Sequence, residues 1–200
     1  VLRVDVSCCG GGGGGASGSS KGTSYGGGGG GHGTQKDNII PESDVLYPIV
    51  VGSGGTCAYE DDAGKRGKSS FMTISALGGD GGKTQYHSRS AANGNGKGGY
   101  AISASWPPQF FSGGEGIEKI YESFTSEKVC GGGGAAYLYY DEDSAYNDYS
   151  SSGNPDGGNK NKVPSKGIGG GGSGLYSQVR GGQSGGSGSV AIRMYLKSRS

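Results

Sequence analysis

Residues 1–15 read VLRVDVSCCGGGGGG: Leu2, Val4 and Val6 alternate with Arg3, Asp5 and Ser7, and Cys8 and Cys9 lead into Gly10 to Gly15. The period of two predicts a half-buried strand. The glycine block cannot simply prolong it, because glycine lacks a side chain to pack and loses more backbone entropy than any other residue. The block also recurs, at Gly26–Gly31, Gly131–Gly134 and Gly169–Gly172. Glycine fills 49 of the 200 positions, far above the usual level of about 7%. A chain of this kind is either disordered or built on a backbone that only glycine can form.

Flexible linker is the ordinary reading of a glycine run. Linkers, however, mix in serine and join two folded units. These runs are pure, lie between strand-like segments, and have no second domain to join. The other reading is an extended threefold helix of the polyproline II type, rising about 3.1 Å per residue. Such helices have no internal hydrogen bonds, so their amides must pair laterally. Lateral pairing brings backbones close enough that only glycine fits. A six-residue run would be a rod of about 18 Å.

The C-terminus mirrors the N-terminus. Ser189 to Leu196, SVAIRMYL, sets Val190, Ile192, Met194 and Leu196 on one face. Both chain ends are therefore expected as strands lying close together, which closes one domain over residues 1–200. Val45–Val51 reads as a strand demoted to an edge or bulge by Pro48. Ser70–Leu77 alternates as a further strand, and Tyr100–Ala104 and Ala135–Tyr140 are weaker ones. Ile117–Val129 is the one helix-like window, with Ile117, Ile120, Tyr121 and Phe124 at helical spacing; an irregular loop is its alternative. Residues 140–166 read as a long polar surface loop. The expected fold is mostly irregular and β: a few antiparallel strands plus packed polyglycine II helices, with little α-helix.

Net charge is +1, so no field draws nucleic acid or an anionic membrane surface. No stretch reaches the roughly 18 apolar residues of a membrane span, and no membrane insertion is expected. The start at Val1, without methionine, reads as a processed or excised product.

Most catalytic chemistry fails on inspection. Gly78–Thr84, GGDGGKT, imitates a phosphate loop, but Leu77 stands where that pattern needs its first glycine. His32 and His87 lack the supporting residues of a triad. A zinc site is not expected, since no CxxC pair exists. No cofactor is expected, and the chain reads as a non-enzyme. Asp141, Asp143 and Asp148 lie in DEDSAYND, either a solvated acidic loop or a weak cation site. Cys8, Cys9, Cys57 and Cys130 allow two disulfides or four packed thiols. On a strand Cys8 and Cys9 would point to opposite faces.

Aromatic residues carry the better functional lead. Trp106-Pro107-Pro108-Gln109-Phe110-Phe111 forms one group, and Tyr137, Tyr139, Tyr140, Tyr146 and Tyr149 form another. Tyrosine and tryptophan supply recognition area at low entropic cost. Trp106 and Phe110 have a second reading, as plugs of a small core.

Taken together, several features resemble the glycine-rich domains of bacteriophage tail fibres and tail-tip adhesins. They are the alternating strand leading through two cysteines into GGGGGG, the turn Val51-Gly52-Ser53-Gly54-Gly55 with Ser69-Ser70-Phe71 downstream, the GGGGAA run, and the final GSVAIRMY. A similar pattern occurs in extracellular glycine-rich domains of some animal receptors. The resemblance implies a rigid polyglycine platform at a virion surface or in another extracellular setting. Loops between the helices would bind a host cell-surface protein or glycan, and the chain would contact further copies of itself or a fibre protein. A subunit that self-assembles into a filament, coat or appendage is the alternative.

Overall fold

Alternation in residues 1–9 builds the central strand of the sheet that joins the two chain ends. The computed structural model describes residues 2–18, 24–59, 67–85, 92, 94, 96–102, 109–111, 136–141, 144–149, 157–158, 169–172, 175–176 and 183–197. In chain order its strands are β1 (Arg3–Cys9), β2 (Ala16–Gly18), β3 (Ser24–Tyr25), β4 (Gly33–Ile39), β5 (Ile49–Val50), β6 (Ala58–Tyr59), β7 (Ser69–Phe71) and β8 (Ile74–Ala76). There follow β9 (Thr84–Gln85), β10 (Tyr100–Ile102), β11 (Gln109–Phe111), β12 (Ala136–Asp141), β13 (Ser144–Tyr149), β14 (Leu175–Tyr176) and β15 (Ser189–Tyr195). Among the described residues there is no α-helix. The window 117–129 lies outside them.

The first sheet runs β15-β1-β4, antiparallel throughout. Arg3 pairs with Tyr195 and Cys9 with Ser189, so the first and last strands are neighbours along their full length. β4 carries a bulge: Val6 faces Lys36 and Val4 faces Ile39, leaving Asp37 and Asn38 opposite Asp5. Asn38 takes a positive φ of 57°, a conformation asparagine tolerates. Its amide, displaced from the ladder, is bound by the Asp5 carboxylate at 2.8 Å.

A second sheet, β5-β7-β8, packs on the first. Between them sits the apolar core: Val4, Val6 and Cys8 from one face of β1, and Phe71, Ile74 and Ala76 from the β7–β8 hairpin. Tyr47 leans on Phe71 with ring centroids 6.1 Å apart. The expected single strand Ser70–Leu77 is thus two strands folded back on each other. Met72 and Thr73 make the turn, with Met72 at φ 54°. No Gly, Pro or Asn marks that turn, so the sequence reads through it. Of Val45–Val51 only Ile49–Val50 is strand, an exposed edge. The apolar stripe of β15 is less buried than its alternation implies, and Met194 and Leu196 are exposed.

The runs Gly10–Gly15 and Gly26–Gly31 are threefold helices, and the hydrogen bonds give the period directly; Gly131–Gly134 lies outside the described residues. Amides 10, 13 and 16 donate to the carbonyls of 32, 29 and 26, while amides 12 and 15 donate to 186 and 183. Amide 11 donates to Gly67. The run accepts from Gly79 and Gly82 at carbonyls 11 and 14, from Gly55 at carbonyl 12, and from Gly172 at carbonyl 13. Gly10–Gly15 is therefore the axial rod of a bundle, with six chain segments around it. In the second run the amides of 26, 29 and 32 go to 83, 80 and 77, those of 27 and 30 to 99 and 96, and those of 28 and 31 to 172 and 169. Neither run contains a positive φ, so both have the hand of polyproline II. Glycine is required here for space. A Cβ on Gly12 would stand 2.0 Å from the Gly170 carbonyl oxygen, and one on Gly28 would stand 2.1 Å from that of Gly13.

Candidate functional site

The rods all run between the same two ends. At one end Cys9, His32, Leu77 and Gly188 pass into or out of the sheets that hold the termini and the core. At the other end the rods become short strands. Parallel neighbours continue as parallel strands: β2 pairs in parallel with β14 and β6. Antiparallel neighbours continue as antiparallel strands: β3, which opens the second glycine run, pairs with β9, which follows residues 77–83. Rod direction thus fixes strand direction. Six residues at about 3.1 Å each separate the two ends by roughly 18 Å.

The strands that carry the described members of both aromatic groups fall at the end away from the termini. β12 adds to β3, with Ala136 opposite Tyr25 and Tyr137 opposite Ser24. Tyr25 directly precedes Gly26 and is fully buried, so β12 leads outward from the bundle as its numbering rises. Beyond Tyr137 its described partner is β13 alone, through Tyr139 with Tyr146 and on to Asp141 with Ser144. β10 likewise leads outward from Gly99, whose carbonyl accepts the Gly27 amide. It returns as β11, with Ala101 opposite Phe110 and Tyr100 opposite Phe111. Trp106, with Pro107 and Pro108, lies in the intervening segment outside the described residues.

The register divides the tyrosines. Directly opposed residues of an antiparallel ladder share a face, and neighbours along a strand alternate. Tyr137, Tyr139 and Tyr146 therefore occupy one face of the hairpin, and Tyr140 and Tyr149 the other. The sequence reads the five tyrosines as one dense group, and residues 140–166 separately as a long polar surface loop. Instead, the start of that segment is a regular hairpin. In the same register Asp141 pairs with Ser144 and Asp148 with Tyr137. Asp143 lies outside the described residues, among which no three His, Cys, Asp or Glu side chains gather as metal ligands.

The cysteines belong to the opposite end and to the rods. Cys8 is a free, fully buried thiol of the core, and burial pushes its pKa up. Cys57 is free and partly exposed. Cys9 is disulfide-bonded, and Cys130 lies outside the described residues. The two vicinal positions thus have different chemistry, consistent with neighbours on a strand facing opposite ways.

One surface escaped the sequence reading. Ile40 is 79% exposed, and in Val45–Val51 every aliphatic side chain is exposed, Leu46 to 97%, while Tyr47 packs on Phe71. An apolar run with a single proline gives the same signal as a buried edge strand, so only the structure separates them.

Compared with known protein families, the profile described as a glycine-rich domain matches residues 1–195. No curated protein matches the chain.

Proposed function

This chain belongs to the glycine-rich domain family, and on that premise we propose that it is a non-enzymatic recognition module. It binds a host cell-surface protein or glycan through aromatic hairpins raised on a polyglycine platform, as a tail-fibre tip or comparable extracellular adhesin does. The observation that carries this reading is the opposition of the two ends. Both termini leave from one end of the bundle, and both aromatic hairpins leave from the other. A module attached through its termini then presents the hairpins outward. The bundle holds the hairpin bases through paired backbone, which lowers the ordering cost of binding. Tyr139 and Tyr146, opposed in the ladder, form the centre of the contact, with Trp106, Phe110 and Phe111 as further contact residues.

The test is direct titration of the labelled domain onto a panel of whole bacterial cells and a glycan array. Saturable binding is expected on some cell or glycan. The double substitution Tyr139→Ala with Tyr146→Ala should abolish it while the melting temperature stays close to that of the parent. Binding that survives the double substitution sinks the choice of hairpin. Absence of binding across the panel and array sinks the adhesin reading.

A further inference from the structure

The β12–β13 ladder sorts charge as well as aromatic residues. Counted outward from its base, alternate rungs are Tyr137 with Asp148, Tyr139 with Tyr146, and Asp141 with Ser144. Residues opposed in a ladder, and residues two apart along a strand, belong to one face. That face holds three tyrosines and two aspartates, with the tyrosine pair on the rung between the carboxylates. Successive rungs of one face stand about 7 Å apart. The remaining rungs, Ala136 with Tyr149, Leu138 with Asn147 and Tyr140 with Ala145, carry no charge.

The surrounding sequence does not balance these carboxylates. Residues 129–159 contain Asp141, Glu142, Asp143, Asp148 and Asp156, and no lysine, arginine or histidine. The whole chain has a net charge of +1, so a stretch of −5 leaves +6 on the other residues. The hairpin is therefore a local negative field on a chain that is otherwise basic. Tyrosine rings add to this, because a ring face attracts cations. We infer that the Tyr137–Tyr139–Tyr146 face takes a cationic partner, an extended lysine- or arginine-bearing segment of a protein. An extended chain repeats its side chains on one face every two residues, about 7 Å, which is the spacing of the rungs. Cations at alternate positions then meet a carboxylate, the tyrosine pair and the second carboxylate in turn. The same field repels phosphate, nucleic acid and acidic sugars, and a neutral glycan would leave the charge uncompensated. This choice of partner rests on the recognition role proposed above, and narrows its ligand from a protein or glycan to a basic protein segment.

Isothermal titration of the whole chain with three probes tests it: the peptide Gly-Lys-Gly-Lys-Gly-Lys-Gly, the same peptide with glutamate for lysine, and neutral maltohexaose. Only the lysine peptide should bind, and its affinity should fall more than about fivefold between about 20 and 300 mM salt. Asp141→Asn with Asp148→Asn should weaken it by more than about tenfold. Asp61→Asn with Asp62→Asn, which removes the same charge elsewhere in the sequence, should leave it unchanged. Tyr139→Ala should weaken it, whereas Tyr139→Phe should bind nearly as the parent does. Phenylalanine keeps the ring face that a cation uses and lacks the hydroxyl that a sugar would bond. Maltohexaose binding that ignores salt and the aspartate pair overturns the inference, as does equal weakening by the two aspartate pairs. Binding to whole cells without binding to the lysine peptide overturns it and leaves the adhesin reading standing. Peptide binding with no cell bound supports the chemistry of this face and sinks the adhesin reading.

Discussion

The Tyr195 hydroxyl donates to Asp5 Oδ2 at 2.7 Å across a sequence separation of 190 residues. The other carboxylate oxygen holds the bulged Asn38 amide, so one side chain ties both flanking strands to β1. Arg3 completes the arrangement with its guanidinium 4.1 Å from the Tyr195 ring centroid. The Asn38 amide and then the Tyr195 hydroxyl hold the Asp5 carboxyl below its ordinary pKa of 3.8; Arg3 and Arg193 add to this, against the opposing effect of burial. A carboxyl with a depressed folded pKa stabilises the fold above its unfolded pKa, and that stabilisation is lost as pH falls through the folded value. The melting temperature should therefore drop below about pH 4. Asp5→Asn should lower it at neutral pH and flatten the acid-side slope. Tyr195→Phe should lower it while keeping most of that slope, because the Asn38 bond remains. An unchanged acid slope in Asp5→Asn would remove Asp5 from this role.

The cysteines should react in a fixed order. Cys8 is fully buried with its pKa raised by desolvation, whereas Cys57 is partly exposed. The thiolate is the reactive form, so iodoacetamide on the native protein should label Cys57 and spare Cys8. Unfolding without reductant should add Cys8, giving two labels per chain, since Cys9 is disulfide-bonded. Reduction before unfolding should make all four cysteines of the chain available. Mass spectrometry of the intact protein and of its peptides reads each stage. Labelling of Cys8 at the rate of Cys57 in the native protein would contradict its placement in the core.

Glycine positions should differ sharply in their tolerance of a methyl group. At Gly12 the new Cβ would stand 2.0 Å from the Gly170 carbonyl oxygen and 2.4 Å from its carbon, both fixed backbone atoms. Gly12→Ala should cost more than about 4 kcal/mol, in the range that abolishes folding of a marginal domain. At Gly26 the nearest atom is the Lys83 carbonyl oxygen at 3.1 Å, which a shift of a few tenths of an ångström relieves. Gly26→Ala should fold and lose only about 1 kcal/mol. Urea midpoints of the two variants give the comparison. Equal tolerance at both sites would mean that the axial rod is less tightly surrounded than its hydrogen bonds require.

What the sequence made legible follows from where side chains carry the signal. β1 and β15 alternate because one face of each meets an apolar layer, and both were readable. The rods were readable because a pure glycine run excludes side-chain packing and leaves backbone pairing as the remaining source of order. β4, GTQKDNI, gave no signal: Thr34 through Asn38 are exposed at a sheet edge, so nothing selects an apolar period. The β7–β8 turn was hidden because Met72 adopts a left-handed conformation without a residue that favours it. The strands at the hairpin end are two or three residues long and inherit their direction from the rods, which no local pattern encodes. The tyrosine group was found as a composition. Its division between two faces depends on the register of Tyr139 with Tyr146, and register is a property of the pairing.

Hydrogen exchange separates an ordered rod from a linker at single-residue level. Every amide from Gly26 to His32 donates to a backbone carbonyl of another segment, at 2.8 to 3.1 Å, and Gly26 to Gly31 are buried. Opening one such amide requires displacing a neighbouring rod, because the acceptors belong to three different segments at residues 77–83, 96–99 and 169–172. Exchange should therefore proceed through cooperative opening. Protection should reach at least about 10³-fold, the lower end expected for a domain of ordinary stability. The exposed segment at Val45 and Leu46 should exchange near the unprotected rate in the same sample. A glycine run acting as linker has no lateral acceptors, and its amides would exchange as fast as those two. Protection should also follow the threefold pairing. Gly185→Ala would press a methyl group against the Gly12 carbonyl, displacing the segment that accepts from amides 12 and 15, and should deprotect Gly12 and Gly15 before Gly28 and Gly31. Uniform loss of protection along both runs would show that the bundle has no such separable rows and melts as one unit.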